Sequence, residues 1–181
     1  MTDEKKLINL DRKVKSCKKC GLWRTRKNTV FGEGPHNAKI MAIGQAPGAQ
    51  ENETGKPFIG RSGKFLNQLL KLANIEREKI FITSPLKCFP PKNRKPDKSE
   101  IKTCLPYLKE QLEIINPQKI ILLGGVAFSV FFPDRKLKDF RGKTIKTAGR
   151  DFFVSYHPSA GIRFQKTKKI LEKDFKKLKC F

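Results

Sequence analysis

Four short, nearly continuous apolar runs constrain this chain more than any other feature of its sequence. They lie at residues 39–44 (KIMAIG), 79–83 (KIFIT), 119–124 (KIILLG) and 151–156 (DFFVSY). Strands covered on both faces show such continuous runs, whereas strands with one solvent-facing side alternate apolar and polar residues. The four runs therefore predict strands that are buried within a mainly parallel sheet.

The segments between the runs carry helical patterns. Residues 61–73 repeat apolar side chains at helical spacing, and residues 97–115 do so after a possible capping box formed by Asp97 and Glu100. Further helices are expected near both termini, the C-terminal one over 162–181. This alternation predicts a three-layer α/β/α sandwich with a central, mainly parallel four-stranded sheet.

The length and charge of the chain limit its domain count and its partners. We expect 181 residues to form one domain over 1–181, completed by an N-terminal segment that contains cysteines. A formal charge of +23 predicts a polyanionic partner, because Lys and Arg release counterions from phosphates. A proteome that is basic on average is the alternative explanation. No run is long and apolar enough to span a membrane, and the N-terminus lacks a signal-peptide core, so we expect a cytoplasmic protein.

Four of the five cysteines are candidates for metal ligation. Cys17 and Cys20 form a C-x2-C pair, and Cys88 precedes Cys104 by 16 positions. In a reducing compartment such cysteines are thiols or metal ligands rather than disulfides. Four thiolates from separate elements suit a four-iron cluster, while a zinc ion, a redox pair and buried small side chains stay open as alternatives. Cys180 is expected to be a free surface thiol.

The ends of the predicted strands and the cysteines together form four motifs. They are the N-terminal C-x2-C, GQAPGAQENETGKPFIGRSG at 44–63, FITSPLKCFPPKNRKP at 81–96 followed by E-x3-C, and YHPSAGIR at 156–163. Their types, order and spacing resemble those of the family 4 uracil-DNA glycosylases, the thermostable iron–sulfur branch of the uracil-DNA glycosylase superfamily. The resemblance covers nearly the whole chain.

This resemblance implies an activity, a cofactor and partners. The implied reaction is hydrolysis of the N-glycosidic bond of uracil in single- or double-stranded DNA, the first step of base excision repair. The implied cofactor is a structural 4Fe-4S cluster held by Cys17, Cys20, Cys88 and Cys104. We expect a monomer that binds DNA and no membrane, with a replication clamp or polymerase as a further candidate partner.

The resemblance also implies which residues hold the base. Phe58 is expected to stack on the uracil ring, although a core position is the ordinary alternative for a phenylalanine. His157 is expected to donate a hydrogen bond to uracil O2 as the bond breaks. Gly44 and Gly48 would let the backbone approach the base and the sugar.

The phosphates and the attacking water are assigned to other residues. Ser159 and Arg163 are expected to contact phosphates near the flipped-out nucleotide. Glu51 is expected to position the water or to stabilise the sugar cation. Gln45 occupies the place of a family glutamate, and its amide is expected to orient the water without taking a proton from it.

A second departure from the family pattern concerns specificity. Ser84 stands where the family has an asparagine that contacts uracil through both a donor and an acceptor. Exchanging two contacts for one is expected to weaken discrimination by about 1–3 kcal/mol. Two alternatives therefore stay open: the same fold acting on hypoxanthine or xanthine, and a weakly active nucleic-acid-binding iron–sulfur protein.

Overall fold

A computed structural model describes residues 1–180 of the chain, with side chains described as far as Leu178. The side chain of Cys180, predicted to be a free thiol, lies outside this range. The helices and strands in chain order are α1 (Asp3–Lys15), β1 (Ile40–Ile43), α2 (Ala49–Thr54), α3 (Arg61–Leu72), β2 (Ile80–Thr83), α4 (Lys98–Ile115), β3 (Lys119–Leu123), α5 (Gly125–Phe131), α6 (Leu137–Phe140), β4 (Thr144–Thr147), β5 (Arg150–Ser155), α7 (Pro158–Arg163) and α8 (Gln165–Lys176).

The strands form one sheet in the order β2-β1-β3-β5-β4. Strand β1 runs parallel to both β2 and β3, with Ile43 paired to Thr83 on one side and to Leu122 on the other. Strand β5 is parallel to β3. The carboxyl ends of these strands consequently meet at one edge of the sheet, where α/β proteins bind their ligands.

The predicted α/β sandwich is confirmed, and the predicted strand count is wrong. The sheet has five strands rather than four, because Thr144–Thr147 pairs antiparallel with β5 at the sheet edge. This strand has the sequence TIKT and is largely exposed, so it lacks the continuous apolar run that indicates a strand buried on both faces.

Successive side chains of the strands point into two separate cores. Met41 packs with residues of α1 and α4, whereas its neighbour Ala42 packs with residues of α3 and α8. The alternation follows from the period of two in a strand, and it explains why the strands are apolar on both faces. Among the described residues no helix is long and apolar enough to cross a membrane.

The predicted helices over 61–73 and 97–115 are confirmed. In α4, the Glu100 carboxylate accepts the backbone N–H of Asp97 at 2.9 Å, which is half of the expected capping box. The single C-terminal helix expected over 162–181 is wrong, because Phe164 has an extended backbone that separates α7 from α8. The first of these short helices is held against α3, where a Cβ on Gly161 would come within 2.6 Å of Phe65.

Candidate active site and cysteine cavity

A cavity of about 240 Å³ opens at the carboxyl ends of β1, β2 and β5. Drug-sized ligands occupy cavities of roughly 300–1,000 Å³, so this volume suits a single small ring. Eight of the nine catalytic and substrate-binding residues predicted from the sequence line it: Gln45, Gly48, Glu51, Phe58, Ser84, His157, Ser159 and Arg163. The ninth, Gly44, lies behind Phe58, because a Cβ at this position would come within 2.6 Å of the phenyl ring.

Phe58 is held by its backbone as well as by its neighbours. Its φ of 51° lies in the left-handed region, which a bulky residue rarely adopts. A side chain on Gly63 would overlap the Phe58 carbonyl, so α3 approaches this residue through a glycine. The phenyl ring stacks on the His157 imidazole, with ring centroids 5.7 Å apart and planes inclined by 30°. The two rings thereby form one wall of the cavity.

Glu51 ties the two ends of its loop together. One carboxylate oxygen accepts the backbone N–H groups of Ile59 (3.0 Å) and Gly60 (2.9 Å), and the other accepts that of Gly48 (3.1 Å). The side chain is 7% exposed. A carboxylate can be buried when such donors replace its water shell. The closed loop therefore supports the burial of Glu51, and the hydrogen bonds of Glu51 keep the loop closed.

The role predicted for Glu51, positioning water or stabilising a sugar cation, stays a prediction. Its carboxylate lines the cavity, so its negative charge faces the place where a cation would develop. Both of its oxygens already accept backbone hydrogen bonds. The structure thus adds a second role that the sequence pattern does not indicate.

His157 is the N-cap residue of α7, and the helix determines its tautomer. Its Nδ1 accepts the backbone N–H of Ser159 at 3.2 Å and lies 2.8 Å from the Ser159 hydroxyl. Because Nδ1 accepts, a neutral imidazole carries its proton on Nε2. Burial lowers the pKa of His157 to about 4, with Glu51 opposing the shift and Arg163 adding to it. At neutral pH the ring is therefore an uncharged Nε2–H donor.

Ser84 is buried, and its only hydroxyl proton is already engaged. The Ser84 hydroxyl donates to the Leu86 carbonyl at 2.6 Å, a group that can only accept. The residue is 6% exposed and lines the cavity. Toward a ligand, the Ser84 oxygen is consequently an acceptor and not a donor.

Two further cavity residues, Asn93 and Arg94, belong to the motif at 81–96 but were not among the predicted site residues. Asn93 has a left-handed backbone (φ 54°), as does Lys92 before it (φ 57°). Arg94 Nη2 lies 2.6 Å from a Glu100 carboxylate oxygen, which ties this loop to the first turn of α4. Nothing in a run of lysines, arginine and asparagine shows which of its members turns toward a cavity.

A second, smaller cavity is lined by all four cysteines of the predicted metal site, Cys17, Cys20, Cys88 and Cys104. Cys17 and Cys20 follow α1, Cys88 lies beyond β2, and Cys104 is on α4. All four are free thiols. Within the described part of the chain, no three His, Cys, Asp or Glu side chains are close enough to hold a single metal ion.

The surroundings of the thiols favour an anionic group. Arg26 Nη1 donates to Cys88 Sγ at 3.3 Å, and Lys87 also lines the cavity. None of the described residues that line it is a carboxylate. Burial raises the pKa of Cys104 to about 11, and that of Cys88 is raised as well, so these thiols stay protonated unless a metal replaces their protons. Four thiol donors beside the basic side chains of Lys19, Arg26 and Lys87 fit a thiolate-bound metal cluster.

Replacing Glu51 by glutamine should destabilise the protein by about 1.5–3 kcal/mol, because the carboxamide has only one acceptor oxygen for the three backbone donors. Chemical denaturation measures the difference. The matched control is Glu53→Gln on the same helix, whose exposed carboxylate pairs only with Lys27 at 2.8 Å, and which should change stability by less than about 0.5 kcal/mol. Equal effects of the two substitutions would contradict the role of Glu51 as a tie.

Comparison with known proteins gives a consistent result. The model of the uracil DNA glycosylase superfamily matches residues 31–179. The Type-4 uracil-DNA glycosylase of Saccharolobus solfataricus is 44% identical over 92% of this chain and 82% of its own length. Those of Sulfurisphaera tokodaii (40% identical, 96% and 83%) and Thermotoga maritima (37% identical, 99% and 96%) are also similar. The chain therefore belongs to the uracil DNA glycosylase superfamily.

Proposed function

We propose that this chain is a uracil-DNA glycosylase, which hydrolyses the bond between uracil and deoxyribose in DNA and so initiates base excision repair. The observation that carries the proposal is the pairing of Phe58 with a neutral His157 in the wall of one base-sized cavity. The relatives named above, which bear the name Type-4 uracil-DNA glycosylase, support the same activity.

The departing base is stabilised by its two ring neighbours. The flipped-out uracil stacks on Phe58, and His157 Nε2–H donates to its O2 as negative charge develops there. A neutral donor held before the reaction costs no reorganisation when the charge appears, and its low-dielectric surroundings strengthen the interaction. The Ser159 N–H fixes the imidazole orientation through Nδ1 at 3.2 Å. His157 acts in this scheme as a hydrogen-bond donor and does not accept a proton.

The sugar and the water are handled on the opposite side of the cavity. The Glu51 carboxylate faces the deoxyribose and stabilises its developing positive charge. Gln45, which is partly exposed in the cavity wall, orients the attacking water through its amide. An amide accepts no proton at neutral pH, so the water attacks an already cationic sugar and afterwards loses its proton to solvent.

A second candidate substrate class follows from Ser84. Because its oxygen accepts only, it selects a base whose facing ring nitrogen carries a proton, as N3 of uracil and N1 of hypoxanthine do. Cytosine and adenine present a lone pair at those positions and are repelled. One acceptor separates uracil and hypoxanthine from cytosine and adenine but does not separate the deaminated bases from one another, so hypoxanthine and xanthine are included in this alternative.

The DNA backbone is proposed to follow the exposed basic residues around the cavity. Arg163 and Ser159 line the cavity near α7, and the basic loop with Arg94 borders it on the other side. Such contacts position DNA without reading its sequence. We further propose that the protein acts as a single-domain monomer on single- or double-stranded DNA, with a replication clamp or polymerase as an additional partner.

The cysteine cavity is proposed to hold a structural 4Fe-4S cluster through Cys17, Cys20, Cys88 and Cys104. When bound, the cluster would cross-link the N-terminal segment, the loop after β2 and helix α4. Base hydrolysis transfers no electron, so the proposed role is structural. Arg26 and Lys87 would offset its negative charge.

An excision assay tests the proposed activity. The purified protein is incubated with oligonucleotides that carry one uracil, hypoxanthine, xanthine or cytosine, and abasic sites are then cleaved by alkali. We expect cleavage of the uracil strand, no cleavage of the cytosine strand, and a reduction of about 100-fold or more for His157→Ala. Cleavage of hypoxanthine or xanthine alone would favour the second substrate class. No cleavage of any strand would leave a nucleic-acid-binding protein.

The low pKa of His157 predicts an unusual pH dependence. Excision should stay constant as pH falls from 8 to about 5.5 and should decline toward pH 4, where a proton on Nδ1 displaces the Ser159 N–H. Between an unfolded pKa of about 6.5 and the folded value, the unfolded chain binds more protons, so the free energy of unfolding also falls as pH falls. Imidazole NMR of the His36→Gln variant follows His157 alone. A midpoint near 6.5 would contradict the buried, neutral ring.

The cluster makes a prediction of its own. Protein isolated without oxygen should be brown, with broad visible absorption, and should contain iron and acid-labile sulfide; a zinc protein would be colourless. The variants Cys17→Ser and Cys104→Ser should lose the colour and unfold at lower temperature. The control Cys180→Ser, outside the four-cysteine set, should keep both. A colourless wild-type protein that contains zinc would replace the cluster by a single ion.

A further inference from the structure

Lys87 lies between the two cavities and is almost completely buried, with 1% of its surface exposed. Its Nζ donates to Thr83 Oγ1 (2.6 Å), the Ser84 carbonyl (2.8 Å) and Gln111 Oε1 (2.6 Å). These three acceptors match the three protons of an ammonium group, although burial lowers the pKa of Lys87 to about 7. The side chain thereby holds the carboxyl end of β2 in place, next to the cavity residue Ser84.

The acceptors of Lys87 are themselves fixed. The Thr83 hydroxyl donates to the Phe31 carbonyl at 2.9 Å, and Gln111 Nε2 donates to the same carbonyl at 2.9 Å. Thr83 is 1% exposed and Gln111 is completely buried. In such a closed network each group has a defined direction, because an alternative arrangement would leave a buried polar atom without a partner.

The main chain of Lys87 belongs to the other cavity. Lys87 lines that cavity, its carbonyl accepts the Val30 N–H at 2.8 Å, and the next residue is Cys88. One residue therefore joins the cysteine cavity through its peptide bond to Cys88 and the carboxyl end of β2 through its side chain. The connection is short, because Ser84 and Cys88 are separated by only Pro85, Leu86 and Lys87.

We propose that Lys87 is a positioning residue that couples the cysteine cavity to the base-reading oxygen of Ser84. A metal group bound by Cys88 and Cys104 fixes the Lys87 backbone. The three hydrogen bonds of Lys87 then fix Ser84 and the acceptor that it offers to the base. This role depends on the proposed glycosylase function only for its effect on excision; the mechanical coupling stands on the contacts alone.

The test compares Lys87→Met with Lys109→Met, both in iron- and sulfide-loaded protein. Methionine keeps a long unbranched stem but donates nothing, whereas Lys109 is an exposed lysine of α4 outside both cavities. We expect Lys87→Met to keep its visible absorption but to excise uracil about 10–100-fold more slowly in single turnover, the size usual for partners that orient a site. The ratio of uracil to hypoxanthine excision should shift as well, and Lys109→Met should match wild type.

Hydrogen exchange of the peptide that covers residues 80–88 provides a measurement independent of activity. In the wild-type chain, stripping the iron with a chelator should speed exchange in this peptide before the protein unfolds globally. In Lys87→Met the exchange should be fast even with iron bound. Three results would each overturn the coupling. They are hydrogen exchange of the wild-type peptide that does not change on iron removal, a chain that takes up no iron, and an iron-loaded Lys87→Met variant with wild-type excision and exchange.

Failure of the proposed glycosylase function and failure of the Lys87 coupling give different results. If the wild-type protein excises no base, the proposed function fails, while exchange of residues 80–88 with and without iron still decides the coupling. If Lys87→Met does not fold, the wild-type comparison with and without iron decides it alone. If excision is intact but exchange is insensitive to iron, the coupling fails and the glycosylase function stands.

Discussion

The geometry of the candidate active site depends on one buried carboxylate. Glu51 accepts three backbone N–H groups from the two ends of its loop and so holds those ends together. Phe58 lies in the segment that this carboxylate closes, and its left-handed backbone is sustained only by such a constraint. The stacking of Phe58 on His157, and with it the wall of the cavity, follows from the closed loop.

The loop also explains how a strongly basic chain tolerates an acid in its binding cavity. Most of the +23 charge lies on exposed side chains, where it attracts phosphates over a distance limited by salt. Glu51 is buried, and backbone N–H groups, rather than a lysine or arginine, stabilise its carboxylate. Its charge thus stays available to the cavity. A cationic partner at this point would cancel the field on which the role proposed for Glu51 rests.

Much of this arrangement was accessible from the sequence, and the exceptions have physical reasons. Continuous apolar runs predicted the four parallel strands, but the antiparallel edge strand Thr144–Thr147 needs no such run because it is largely exposed to solvent. Strand ends and motifs together predicted the cavity residues. The tie made by Glu51 was not predictable, because its partners are backbone groups up to nine positions away. The hydrogen bonds of Lys87 were not predictable either, because its partner Gln111 lies 24 positions further along the chain, on another element.

The long connection between β2 and α4 gives a structural reason for the proposed metal group. Connections of this kind usually have roughly 2–6 residues, whereas this one runs from Thr83 to Lys98 with only a short 3-10 turn inside it. It nevertheless supplies Ser84 and Arg94 to the cavity. A long loop has too little apolar surface to fix itself, so side-chain ties must replace a core. Lys87 and Cys88 in its first half and the Arg94–Glu100 pair near its end are those ties. If the proposed cluster is bound, it would do for this loop what a hydrophobic core does for the sheet, and base recognition would depend on a metal group that takes no part in the reaction.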